Sequence, residues 1–302
     1  MTLHQLEMFA AIIETEGFTK AADKLHVAQP SLSQQIRNLE DELGEQLLFR
    51  MRNKKMHLTE AGEVLKKHAE HILRQVQILR MEISALSKDP VGIIRIGIGG
   101  HQLTSMVAPA LRSFHETFSK MRIDIVNGTT PQIVDLLKNN TLDVGVGTFP
   151  FEADDLRSEA LFSEELVVVV DESSRFGRRD FISAAEIGEL SLILFDKTTG
   201  TRRCLDDFFQ REKITPRVVL ELTSGEALQQ MVKAGFGATI VPISVARGAP
   251  KGLRMLRIRG KPLVRKVGVV TTGYPRMPQV VNKLLNLITG SLRDQLIPLR
   301  QA

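Results

Sequence analysis

Cysteine is almost missing from this chain: Cys204 is the only one in 302 residues. A single thiol cannot close an internal disulfide and argues against a cysteine-based zinc site, which fits a reducing compartment. Long apolar runs are missing as well. Those present are short stretches such as Leu166 to Val170, far from the roughly 18 residues needed to cross a bilayer. The opening residues Met1, Thr2, Leu3, His4 and Gln5 lack the basic start and apolar core of a secretory signal, so a cytoplasmic protein without membrane association is expected. Nor is positive charge in excess at the N-terminal end. The net charge is +5 overall, yet residues 1–88 carry twelve Lys and Arg against twelve Asp and Glu, so a nucleic-acid footprint there must come from local clusters. Signatures of catalysis are absent too. The glycines after the first strand-like segment fall short of the dinucleotide fingerprint, and there is no phosphate loop, nucleophile elbow or zinc-helix motif. No catalytic residue, metal ligand or cofactor is expected.

What is present is the balance of a soluble globular protein, 43% hydrophobic and 25% charged, long enough for one large domain or two to three smaller ones. Leu3, Leu6, Phe9, Ala10 and Ile13 share one helical face that ends at Gly17. Thr19 is the expected N-cap of a short second helix carrying Ala21, Ala22 and Leu25. Pro30 suits the first position of a third helix, with Leu32, Ile36, Leu39 and Leu43 inward, Ser31, Ser33, Gln34 and Arg37 outward, and Gly44 as C-cap. An outward face of this kind can bond base edges and phosphates, with Pro30 against a thymine methyl; a solvated helix face is the plainer alternative. Arg50, Arg52, Lys54 and Lys55 lie within six residues without an acid. They suit either a two-stranded wing around Asn53 gripping phosphates or a charged surface loop. Thr59 then opens a long helix, with Glu60 and Glu63 in its first turn. On it Leu65, Ile72, Leu79 and Leu86 recur every seven residues, interleaved with Ala69, Val76 and Ile83, a coiled-coil seam for dimerisation. Roughly three heptads is marginal for an isolated pair, so help from elsewhere in the chain is expected.

Asp89, Pro90, Val91 and Gly92 break the pattern. Beyond them short β-branched strands alternate with helices in two similar halves, an α/β layout.

The run Phe18, Ala21, Ala22, Leu25, Gln29, Pro30, Ser31, Ser33, Ile36, Leu39, Glu40, Leu43, Gly44, Leu47, Phe49 and Arg50, followed by Leu58, Thr59, Ala61 and Gly62, closely resembles the LysR-type transcriptional regulators. The match is dense over roughly the first sixty residues; the remainder agrees in length and texture. The resemblance implies a winged helix-turn-helix over residues 1–58, a linker helix over 59–88 and an effector-binding domain over 89–302. That last part would be two Rossmann-like subdomains related to periplasmic binding proteins, the first about 89–161 with 269–302 and the second about 162–268. Carried over, Gln29, Pro30, Ser33 and Gln34 become the base-reading set, with Ser31 and Arg37 beside them and Arg50, Arg52 and Lys54 as wing contacts. Gln34 departs from the arginine common in the family after the recognition-helix serine, which favours adenine over guanine.

In the second half, Gly99, Gly100, His101 and Gln102 follow the first strand, where backbone N–H groups at a helix start can hold an anion; a tight glycine turn explains them equally well. Thr129 and Thr130 repeat this geometry, Thr130 being a cap or a ligand contact. Thr199, Gly200, Thr201 and Arg202 resemble the family's Gly-Thr-Arg turn. These loops are expected to converge on a small-molecule effector bearing a carboxylate, between the subdomains. The partners implied are double-stranded DNA with an interrupted inverted repeat, the effector, a second copy forming a homodimer and then a homotetramer, and RNA polymerase as a candidate. Two other readings compete. An enzyme using His101 or Cys204 has no motif behind it, and a pure substrate-binding protein is opposed by the DNA-binding front.

Overall fold

In the computed structural model, residues 1–50, 56–86, 89–151, 153–272 and 277–294 are described, with Arg50, His101, Gln102 and Asp294 described in their backbone only. Two compact units emerge, Met1–Ser87 with Asn139–Thr141, and Lys88–Lys138 with Leu142–Ala302.

The first unit begins with helix α1 (Leu3–Thr15), opened by a reciprocal cap in which Thr2 and Gln5 each take the other's backbone N–H. Helix α2 (Phe18–Leu25) follows. Thr19, expected as its N-cap, lies inside the first turn instead. The helix starts two residues earlier, from Gly17, because Phe18 packs inward against the core. Helix α3 (Gln29–Leu43) holds Pro30 in its first turn, where an N–H has no helical partner to lose, and stops at Gly44 with φ +72°. Leu32, Ile36 and Leu39 of α3 pack with Phe9, Ile12, Ala21, Ala22 and Leu47. Leu43, expected inward, is exposed at the helix end. Strands β1 (Leu48–Arg50) and β2 (Met56–Leu58) pair antiparallel, Phe49 opposite His57 with their rings stacked.

Helix α4 (Glu60–Ser84) is capped by Thr59, whose hydroxyl accepts the Gly62 N–H and donates to the Gln46 carbonyl. Leu65 is half-buried against the core of this unit. Ala69 is buried, Ile72 and Val76 are half-buried, and Leu79 and Ile83 are exposed. The helix ends before Leu86, which lies in the turn after it, so the seam on α4 runs from Leu65 to Ile83.

The second unit runs β3 (Gly92–Gly99), α5 (His101–Thr117), β4 (Met121–Gly128), α6 (Thr130–Lys138), β5 (Val144–Phe149), β6 (Leu156–Asp171), β7 (Phe181–Ile182) and α7 (Ala184–Gly188). It continues with β8 (Ser191–Phe195), α8 (Gly200–Arg211), β9 (Arg217–Leu222), α9 (Gly225–Lys233), β10 (Ala238–Pro242), α10 (Ile243–Ala246), β11 (Leu253–Ile258), β12 (Val264–Thr272) and α11 (Gln279–Asp294). The strands join in the order β4-β3-β5-β12-β6-β10-β8-β9, with β11 pairing β6 and β7. Each half places its first strand between the next two, all parallel: β3 lies between β4 and β5, and β8 between β9 and β10. Helix α6 fills the groove over the first half with Ile133, Val134 and Leu137. The sheet of the second half is covered on both faces, by Leu205, Phe208 and Phe209 of α8 on one and by Leu228 and Val232 of α9 on the other, as parallel sheets require.

Strand β6 belongs to both halves. Its first part pairs with β12 and its second with β10 and β11. Strand β12 pairs β5 from Lys266 onward and β6 from Val264 onward, so residues 264–268 lie with the first half and the chain returns at Val264 rather than at the expected 269. The outward crossing falls within β6, between Glu165 and Leu166, rather than at 162.

Gly62 is sterically compelled. A Cβ there would lie 2.1 Å from the Leu47 carbonyl oxygen, so the first turn of α4 seats directly on the chain entering the wing. Gly62→Ala is expected to lower stability by about 1–3 kcal/mol, the usual range for overpacking. Denaturant unfolding checks this, and a wild-type midpoint would show that α4 can shift away freely.

Candidate functional site

Two surfaces carry the residues singled out by sequence. The first is the outer face of α3. With Leu32, Ile36 and Leu39 held in the core, the helical repeat leaves Gln29, Pro30, Ser31, Gln34 and Arg37 exposed and Ser33 half-buried. The Gln29 amide donates to the Ser33 hydroxyl at 3.1 Å, and the Gln34 amide to Asn38 Oδ1 at 2.9 Å. Both glutamines are thus bonded along the helix. Asn38, exposed one turn beyond Gln34, was not picked out from sequence, although the i, i+4 spacing announces it. Glu40 anchors the other end, accepting the Leu47 N–H at 2.9 Å. Arg52 and Lys54 lie outside the described residues, as does the side chain of Arg50.

The second surface is a cavity of about 310 Å³ in the second unit, between its two halves. Four strand-to-helix turns meet there: β3 to α5 with Gly99 and Gly100, β4 to α6 with Gly128, Thr129 and Thr130, β8 to α8 with Thr198, Thr199, Gly200 and Thr201, and β9 to α9 with Thr223, Ser224, Gly225 and Glu226. Four helices therefore start at one space, each bringing the positive end of its dipole there. Three of these turns are among the sites expected from the sequence, and the fourth, with Ser224 and Glu226, is not. His101 and Gln102 open α5, with their side chains outside the described ones.

The turns are internally braced. Asp196 Oδ1 accepts the N–H and hydroxyl of Thr198, which together hold its carboxyl below the ordinary value. Thr199 donates to the Asp196 carbonyl at 2.8 Å and caps α8 by accepting the Arg202 N–H. Gln132 Oε1 takes the Thr129 N–H at 2.8 Å, and Thr130 Oγ1 takes the Thr148 N–H. A Cβ on Gly200 would come within 2.6 Å of Thr148 Cβ, so α8 of one half abuts β5 of the other.

Arg202, expected on the effector, does not line the cavity. It is buried, and donates to Asp206 at 2.8 Å, the Phe195 carbonyl at 2.8 Å and Glu221 at 2.7 Å. Burial opposes its charge, but bonds to Asp206 and Glu221 outweigh that and raise its pKa. The arginine in the wall is Arg265 of β12, which sequence reading missed because it lies in an alternating strand far from any motif. Arg265 is buried, grips Glu164 of β6 through Nε at 3.1 Å and Nη2 at 2.9 Å, and donates from Nη1 to Thr201 Oγ1 at 2.8 Å. Cys204 packs half-buried against the core of the second half, and burial pushes its thiol pKa up, with nearby Arg265 opposing.

Residues 3–63 match the model of the bacterial regulatory helix-turn-helix protein, lysR family, and residues 87–293 match the LysR substrate binding domain. The chain therefore belongs to the LysR family of DNA-binding transcriptional regulators, a family of regulators rather than enzymes, and carries its substrate-binding domain. Among individual relatives, it is 31% identical over 268 residues to the RuBisCO operon transcriptional regulator of Acidithiobacillus ferrooxidans, covering 88% of this chain and 86% of that one. It is 26% identical over 291 residues to the HTH-type transcriptional regulator BsdA of Bacillus subtilis, covering 95% and 100%. Full-length CbnR complexed with its target DNA shares the fold with a TM-score of 0.74 at 23% identity, over 96% of this chain and 100% of that one. Among the described residues no helix is long and apolar enough to cross a membrane.

Arg265→Ala would strand the buried Glu164 carboxylate, so a loss of about 3–5 kcal/mol is expected on denaturant unfolding. An unchanged midpoint would mean the pair is solvated. Cys204 is expected to react with an aromatic disulfide at pH 8 several-fold more slowly than in the urea-unfolded chain, since a raised pKa leaves less thiolate. Equal rates would contradict its burial.

Proposed function

We propose that this LysR-family regulator acts as a cytoplasmic homotetramer. In this reading, protomers pair into dimers through Leu65, Ile72, Val76, Leu79 and Ile83 of α4, two α3 helices lie on an interrupted inverted repeat, and effector-domain contacts join dimers into the tetramer. Gln29, Pro30, Ser33 and Gln34 read base edges, while Arg50, Arg52 and Lys54 hold phosphates. The winged helix-turn-helix occupies residues 1–58, the linker 59–88 and the effector domain the remainder, divided at β6 and at Val264. A small effector bearing a carboxylate or similar anion binds between the two halves of that domain and changes the spacing of the DNA-binding heads only as far as it prefers one arrangement of the halves. The observation that carries this reading is the convergence of four helix N-termini on one small cavity, in a chain whose first sixty or so residues are a LysR helix-turn-helix.

Selection of genomic fragments by the purified protein, with and without pooled metabolites, is the direct test. An enriched inverted repeat whose footprint alters with metabolites supports the reading, and no enrichment by a folded oligomer rejects it. Within the recovered site, replacing Ser33 and Gln34 by alanine is expected to relax preference at single base pairs by about 1–3 kcal/mol. Replacing Arg50 and Arg52 by alanine should weaken binding to all sequences alike and flatten its salt dependence. The reverse pattern in a binding-versus-salt series would overturn the assignment.

A further inference from the structure

The charges around the cavity do not suit a plain anion. Among the described residues that line it, Arg265 is the only cation and Glu226 the only carboxylate. The Arg265 charge is already matched by Glu164, which takes two of its N–H bonds at 3.1 and 2.9 Å. Glu226, in the first turn of α9, accepts a hydrogen bond from Ser224 Oγ at 2.9 Å and has no ion pair among the described residues. With both carboxylates charged, the three groups sum to one net negative charge before anything binds.

A ligand carboxylate still finds a berth at the opposite set of groups. The helix starts bring the positive ends of their dipoles to the space, and two hydroxyls there are available. Thr201 Oγ1 accepts from Arg265, leaving its own proton to donate. Thr148 is 5% exposed, lines the cavity, and its hydroxyl has no partner among the described residues. Helix dipoles and hydroxyls can neutralise the ligand's carboxylate. They do not neutralise Glu226, which is exposed at the cavity's edge and is the lining carboxylate without an ion pair among the described residues. A ligand cation placed beside Glu226 would complete the ion pair that the protein leaves open there.

We infer that the effector is a small amino carboxylate, with its carboxylate on the helix starts beside Thr148 and Thr201 and its ammonium on Glu226. This rests on the cleft being the effector site. Phe195, Pro242 and Val245 supply the apolar wall for whatever carbon chain joins the two charges.

The test uses the full-length protein, with thermal shift and titration calorimetry against the standard amino acids and 4-aminobutanoate, each beside a carboxylate of matching length without the nitrogen. The expected result is that one or a few amino carboxylates raise Tm. Glu226→Gln keeps an oxygen for Ser224, and should weaken those ligands several-fold, about what an exposed ion pair contributes. It should leave the weaker binding of the matched carboxylates unchanged. If nitrogen-free carboxylates bind as tightly, or Glu226→Gln binds the amino carboxylates like wild type, the inference fails while the effector reading stands. If neither set shifts Tm or the DNA footprint, both fail together.

Discussion

Arg265 and Glu164 face one another across the β6–β12 ladder, with side chains 6% and 5% exposed, and the pair ties several segments of the second unit together. Burying both charges is worthwhile only if every strong bond they can make is made. That requirement draws in the neighbours. Glu164 takes the Ser244 N–H from the start of α10, and Arg265 reaches Thr201 in the first turn of α8. Four segments distant in sequence are thereby fixed at the place where the chain changes halves, and one wall of the cavity is fixed with them. The cavity is therefore a by-product of satisfying two charges as much as of folding two sheets.

The same economy appears on α3. Its core face is set by three aliphatic side chains, and the exposed face follows from them without further instruction. Lateral bonds from Gln29 to Ser33 and from Gln34 to Asn38 then limit the rotamers open to the glutamines. Side chains held this way lose less freedom on meeting a partner.

Much of this was legible in the sequence, for identifiable reasons. The alternation of strands and helices beyond Gly92 is as expected, because apolar runs such as Leu192–Phe195 speak through local chemistry alone. Gly99, Gly100, Thr129, Thr130, Thr199, Gly200 and Thr201 do share one cavity, since turns after parallel strands converge by topology. What escaped was whatever depended on pairing between distant segments. The first part of β6, with Arg157, Glu159 and Glu164, looks too charged for a strand until β12 is laid beside it. Strand β11 alternates Arg254 and Arg257 with Met255 and Leu256 and reads as a loop in isolation. Arg202 was misplaced because sequence offers a guanidinium near the cleft without saying which acids claim it, and Asp206 and Glu221 do. Helix α11 was missed although Val280, Val281, Leu284, Ile288 and Leu292, all buried, mark one face of it plainly.

Strand β6 is a continuous ribbon of 16 residues, hydrogen-bonded along its length first to one half's strands and then to the other's. A ribbon held on its edges behaves as a torsion bar rather than a pivot. Any turning of one half against the other has to be stored as added twist spread over many peptide units, and it springs back when released. Such a joint favours small, elastic, graded displacements over an open-and-shut hinge, and it would pass a few degrees of rotation onward with little slack.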